Sequence, residues 1–156
     1  SLQAFGNGAA PRRIVIANFS NAMTTRKPAG LSSVLIRHLI GEPVDQAKQA
    51  TRTLSSHETL LLSDIVIAEA IYVLQKVYSV DRPTISDVMK SLIAFPSIQV
   101  VDEPTVLRAL EIFVNHRLHF VDAYLVASAE STGVNKVVSF DQGLDRVKTI
   151  NRVVPV

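Results

Sequence analysis

Leu60-Leu61-Leu62-Ser63-Asp64-Ile65-Val66-Ile67-Ala68-Glu69-Ala70-Ile71-Tyr72-Val73-Leu74-Gln75-Lys76-Val77-Tyr78 is the stretch on which the fold turns. Its first three residues form a short apolar run with no polar alternation, as in a strand buried on both faces. Ser63 follows at the position where a side-chain oxygen can accept from the first free amides of a helix. The apolar pattern after it predicts a helix from 64 to about 78. A buried strand feeding a long apolar helix is one half of a βαβ unit, whose sheet is parallel.

Working outward, the alternation repeats. Upstream, SSVLIRHLIG suits a short helix capped by Ser32 or Ser33 and ended by Gly41, and VDQAKQATRTLSS a second one with Pro43 in its first turn. Downstream, DRPTISDVMKSLIAF predicts a helix and SIQVV a strand. EPTVLRALEIFVNHR and FVDAYLVASAEST predict two more helices, the second stopped by Gly133, then KVVSF a buried strand and VVPV an edge strand. The expected class is α/β, a three-layer α/β/α sandwich around a central, mainly parallel sheet.

The chain of 156 residues is one domain's worth, 47% hydrophobic and 19% charged. That is enough apolar material for a core without covalent staples. It has no cysteine, which excludes a disulfide framework, a thiolate metal site and a cysteine nucleophile. No apolar run approaches the roughly 20 residues that cross a bilayer, so a soluble, cytoplasmic protein is expected, with no membrane partner. Residues 1–22 contain Arg12 and Arg13 and no acid, so the formal charge of +2 rests on that stretch and the remainder balances. Ser20-Asn21-Ala22 before Met23 has the form of a tag remnant. Residues 1–22 are therefore expected to be a tag-derived or disordered leader and 23–156 a single domain, although RRIVIANF could also pair as a strand.

Three carboxylates stand where the pattern gives them no ordinary place. Glu69 lies mid-helix with Ile65, Val66, Tyr72 and Val73 as its same-face neighbours, so its own helix offers no cation. An unpaired carboxylate in such a setting costs several kcal/mol or takes up a proton, roughly as any buried charge does. Asp122 starts a helix, where a cap or first-turn acid is routine. Asp141 follows a strand, at the edge where open α/β sheets bind ligands, though a turn would also explain it. If gathered at one point, the three would suit a hard divalent ion such as Mg²⁺ or Mn²⁺. Asp64, Asp81, Asp87, Asp102 and Asp145 read as helix-start or turn residues. His116 and His119 read as helix-end contacts, and no glycine-rich phosphate loop or serine elbow is present.

The order and surroundings of these acids resemble the PIN-domain family, in particular the small ribonuclease toxins of bacterial toxin-antitoxin pairs. SSVLIRHLIGEPVDQA, LLLSDIVIAEAIYVLQKVY, FVDAYLVASAESTGV and VVSFDQGLDRV carry the likeness, which spans residues 31–154. It implies Mg²⁺- or Mn²⁺-dependent hydrolysis of RNA by water attack at phosphorus. Catalysis and metal binding fall to Glu69, Asp122 and Asp141, with Ser33 and Ser139 positioning substrate or water. The partners implied are an RNA substrate, a cognate antitoxin protein and a second copy of the chain. One departure stands out: where the family's first strand ends in an acid this chain has Leu31, or Ala17 or Asn18 if RRIVIANF is taken as that strand; none of them is an acid, and the first acidic residue of the chain is Glu42. The alternative reading is thus a catalytically impaired PIN-like module that binds RNA or a partner protein without cleavage.

Overall fold

The computed structural model describes residues 13–16, 38–41, 44–55 and 59–156, the backbone alone for 13–16. The elements run β1 (Arg13–Ile16), α1 (Val44–Leu54), β2 (Thr59–Leu62), α2 (Asp64–Lys76), α3 (Arg82–Ile93) and β3 (Ile98–Val100). They continue with α4 (Glu103–Asn115), α5 (Phe120–Thr132), β4 (Lys136–Val138), a 3-10 turn (Gln142–Arg146) and β5 (Asn151–Val153). Residues 38–40 are helical and Gly41 follows at φ +77°, the left-handed stop expected of it.

The deciding stretch folds as its pattern predicts. Leu60 and Leu62 are fully buried, with β2 parallel to both β1 and β3 so that Leu60 stands between Ile14 and Ile98. Arg13–Ile16 lies within the stretch read as a leader, and in the structure it is a strand of this sheet, the pairing that RRIVIANF allowed. Ser63 then caps α2, its hydroxyl accepting from the Val66 amide at 3.4 Å. Ile67, Ala70, Ile71 and Leu74 line the buried side of α2, and burying each of the larger ones contributes roughly 1.5–3 kcal/mol.

The other helices begin by the same chemistry. Asp81 accepts from the Thr84 amide at 2.8 Å and Asp102 from the Thr105 amide at 3.2 Å. A proline follows each cap within the first turn, where its missing N–H is no loss. Gly133, at φ +72°, closes α5. The packed face of α4 against α5 centres on Phe113, whose ring meets Phe120 edge-on at 6.1 Å.

The strands form two parallel groups, β1-β2-β3 and β4-β5, giving an α/β fold rich in helix with short strands. The edge strand lies earlier than VVPV suggested. It covers Asn151–Val153, with Asn151 donating to Asn135 and Val153 accepting from Ser139. Pro155 has no N–H with which to continue the ladder.

Candidate active site

Chain leaving α4 turns sharply before entering α5. His116 caps α4, and Arg117 adopts φ +56°, unusual for a residue with a Cβ. His119 is extended at the N-cap of α5 and makes no side-chain cap bond. Asp122 follows in the first turn of α5, where the helix dipole favours an acid. It is nevertheless driven toward its neutral form: burial raises its pKa first, the charge of Asp141 raises it further, and His119 opposes both. Two like charges held in one field are the recurrent signature of a site built to meet a cation.

Asp141 owes its place to the end of β4. Its amide donates to the Ser139 hydroxyl at 3.0 Å, and its Oδ1 accepts from the Gly143 amide at 2.8 Å, capping the 3-10 turn. The Ser139 hydroxyl is thereby engaged in the turn itself. Arg152 on β5 braces the segment, donating to the Ser139 carbonyl at 3.2 Å and to both oxygens of Asp145 at 2.9 and 2.8 Å. Asp141 itself stays exposed. A methyl group added at Gly143 would lie 3.0 Å from Asp141 Oδ1 and 3.1 Å from Leu118 Cδ2. The turn bearing Asp141 therefore abuts the loop that leads into Asp122.

Glu69 sits half-buried in the middle of α2. Among the described residues it has no hydrogen-bond or ion-pair partner. Its helix is joined to that of Asp122 at another point, where the Tyr124 hydroxyl donates to Asp64 Oδ2 at 2.5 Å. Asp64 Oδ1 is buried with no hydrogen bond. This link was invisible in the sequence, where Asp64 reads as a helix-start acid and Tyr124 as one more apolar position sixty residues away. Asp87, also expected at a helix start, lies inside α3. Ser33, expected to position substrate or water, and Leu31 lie outside the described residues.

The structure thus brings Asp122 and Asp141 together and records no contact of either with Glu69. Among the described residues, no group of three Asp, Glu or His side chains is close enough to hold one ion. The Asp122–Asp141 pair alone still has the right donor chemistry for Mg²⁺ or Mn²⁺. Both ions take hard oxygen ligands, and Mg²⁺ is commonly held by one or two carboxylates plus water and substrate phosphate. An opposite charge there would relieve the repulsion that raises the pKa of Asp122. No described helix is long and apolar enough to cross a membrane.

Comparison with known proteins adds an independent line. The family profile of the PIN domain matches residues 32–150. A VapC ribonuclease from Aquifex aeolicus (strain VF5) is 27% identical over 125 residues, which cover 77% of this chain and 93% of that protein. The profile lies within the span 31–154 and ends beyond the turn that carries Asp141. With well over half of its length matched, the chain belongs to the PIN-domain family.

Proposed function

We propose that this protein is a divalent-metal-dependent ribonuclease, the toxin of a toxin-antitoxin pair, acting on RNA phosphodiesters in the cytoplasm. The observation that carries the reading is the electrostatic strain that Asp141 places on Asp122, the two being held on separate elements that abut through Leu118 and Gly143. Membership of the PIN family and the likeness to a VapC ribonuclease support it. In this reading the short parallel strands and their covering helices are the three-layer α/β/α arrangement of the family, with residues 23–156 as its domain and β1 (Arg13–Ile16) joining its sheet from the preceding stretch.

Asp122 and Asp141 would hold Mg²⁺ or Mn²⁺, with Glu69 as the third carboxylate; its support is a half-buried position with no described partner. When bound, such an ion supplies Lewis acidity toward the phosphodiester and its attacking water. The chain's own part is positional. Ser139 and Gly143 fix the backbone and one oxygen of Asp141, leaving the other oxygen without a hydrogen bond among the described residues. The macrodipole of α5 tempers the charge of Asp122. An antitoxin and a second copy of the chain complete the reading. Exposed apolar side chains beside each acid, Val121 at 67% and Phe140 at 74%, support a surface that is covered in use.

The test is cleavage of RNA by the purified protein with and without Mg²⁺ or Mn²⁺, alongside Asp122→Asn. Metal-dependent cleavage that the substitution removes supports the proposal. Equal cleavage by the variant overturns it. Leu31 favours one second reading, a module that binds without cutting. Calorimetric metal titration combined with the same cleavage assay decides it, since metal-stimulated turnover excludes that module.

A further inference from the structure

Three arginines far apart in sequence converge on the loop 116–119 that delivers Asp122. Arg82, at the start of α3, donates through Nη1 to the Phe113 carbonyl at 3.1 Å and to the Leu118 carbonyl. Its guanidinium also lies over the Phe113 ring, 4.6 Å from the centroid. Arg146, in the 3-10 turn, donates to the His116 carbonyl at 3.2 Å. Arg117 stands between these two anchor points on the loop itself, exposed, with no hydrogen-bond or ion-pair partner among the described residues.

The partners of Arg82 and Arg146 are carbonyl oxygens, which orient a guanidinium without cancelling its charge. Elsewhere in the protein arginines do meet carboxylates: Arg108 pairs with Glu111 and Glu130, and Arg152 with Asp145. Among the described residues the three loop arginines have no such ion pair, and neither does Arg52 on α1. Burial lowers the proton affinity of Arg82 first, and the positive charges of Arg117 and Arg146 lower it further, so the three share one field. Like charges gathered without ion-pair partners cost free energy in the free protein. The loop also holds Arg117 at φ +56°, a left-handed conformation that is strained for a residue with a side chain.

The adjoining acids sharpen the question of what this arrangement serves. Asp122 lies three residues beyond the loop, and Leu118 of the loop packs at Gly143 beside the Asp141 carboxylate. A polyanionic strand approaching two carboxylates is repelled unless cations stand next to them. Arginine is the residue suited to that task, since its planar fork matches two phosphate oxygens at once. Phe140, adjacent to Asp141 and 74% exposed, offers a face on which an unpaired base can stack.

We infer that Arg117 and Arg146, braced by Arg82, form a phosphate-binding cradle that seats single-stranded RNA across the Asp122–Asp141 pair, with Phe140 stacking a base. The inference rests on the ribonuclease reading for its ligand, but binding can be measured apart from cleavage.

The experiment is fluorescence anisotropy of a labelled single-stranded RNA with the full chain in EDTA, over a series of salt concentrations. Arg117→Ala and Arg146→Ala should each weaken binding about tenfold, with little dependence on sequence. Each should also reduce the slope of log affinity against log salt by about 0.7, the value for one lost contact to a single strand. Arg117→Lys should retain most of the slope. Phe140→Ala should weaken binding with the slope unchanged. Lys48→Ala, which removes the same charge from α1, should alter neither quantity, and circular dichroism melts confirm that each variant is folded. The cradle is overturned if Arg117→Ala and Arg146→Ala behave like Lys48→Ala, or if wild-type protein does not bind RNA. It is also overturned if the two arginine variants keep RNA affinity and lose binding to a polyglutamate peptide, which assigns the cluster to an acidic protein segment. Failure of the ribonuclease reading looks different: RNA bound through these arginines but not cut with Mg²⁺ or Mn²⁺ present.

Discussion

The Tyr124 hydroxyl and the Asp64 carboxylate meet at 2.5 Å and tie the start of α2 to the first turns of α5. The bond raises the Tyr124 pKa to about 12, first through this hydrogen bond and then through burial. Asp64 Oδ1 has no partner of its own, so the tyrosine is the carboxylate's one side-chain donor among the described residues. Tyr124→Phe should therefore destabilise the protein by about 1–3 kcal/mol, the usual range when a buried polar group loses its partner. Adding Asp64→Ala should recover part of that loss. Chemical denaturation of the two single variants and the double variant measures the coupling, and strictly additive effects would show that the bond contributes nothing.

Asp122 should show the opposite behaviour. Its folded pKa lies above the ordinary value, so the folded state holds its proton more tightly than the unfolded chain. The stability it confers is present below the unfolded pKa and declines as pH rises through the raised folded one. In EDTA, Asp122→Asn should thus melt higher than wild type near neutrality and show a flatter pH dependence. Added Mn²⁺ should raise the melting temperature of wild type and leave that of the variant unmoved. Calorimetry with and without chelator checks both expectations.

Glu130 carries an acid-side counterpart. Arg108 holds it in a two-point pair at 2.7 and 3.1 Å and Thr149 donates to it, and these bonds place its pKa below the usual carboxylate range. The stabilisation is complete above the unfolded value of 4.5 and lost as pH falls through the lower folded one. Glu130→Gln should cost about 1 kcal/mol at neutral pH. In strong acid the variant and wild type should converge, which melts across the acid range would reveal.

Gly143→Ala probes the turn beneath Asp141. The new methyl would press on Asp141 Oδ1 and on Leu118, two side-chain ends that can give way, so the cost in stability should stay near about 1 kcal/mol. Under the proposed reading, metal affinity should fall more than stability does, because the carboxylate that yields is one of those proposed to hold the ion. Isothermal titration with Mn²⁺ set against a thermal melt separates the two effects.

Much of the architecture was legible in local chemistry. Ser63, Asp81, Asp102 and Gly133 marked helix ends because capping is settled within three or four residues. The apolar run at 60–62 marked the central strand because burial on both faces leaves no alternation. The site was legible only in part. Asp122 and Asp141 declared themselves by order and flanking residues, and in the structure the charge of Asp141 raises the pKa of Asp122. The Tyr124–Asp64 bond and the convergence of Arg82, Arg117 and Arg146 were hidden, since each depends on how helices cross rather than on sequence spacing. Glu69 shows the reverse: its oddity was plain in the sequence, yet no described residue meets it.

The division of the strands into two parallel groups has a bearing on Asp141. That residue hangs from the β4–β5 ribbon, which shares no ladder bond with β1-β2-β3, whereas Asp122 belongs to the tightly packed α4–α5 pair. The acidic pair therefore spans two separately hydrogen-bonded elements whose apolar side chains, Val137, Leu144 and Ile150 from one and Phe113 and Val126 from the other, share a single core. Local opening of the ribbon would carry one carboxylate away and leave the other in place. Amide exchange at Val138 and Ser139 should accordingly outpace that at Leu60 and Leu62, and the integrity of the pair becomes a matter of how rarely the small ribbon comes loose.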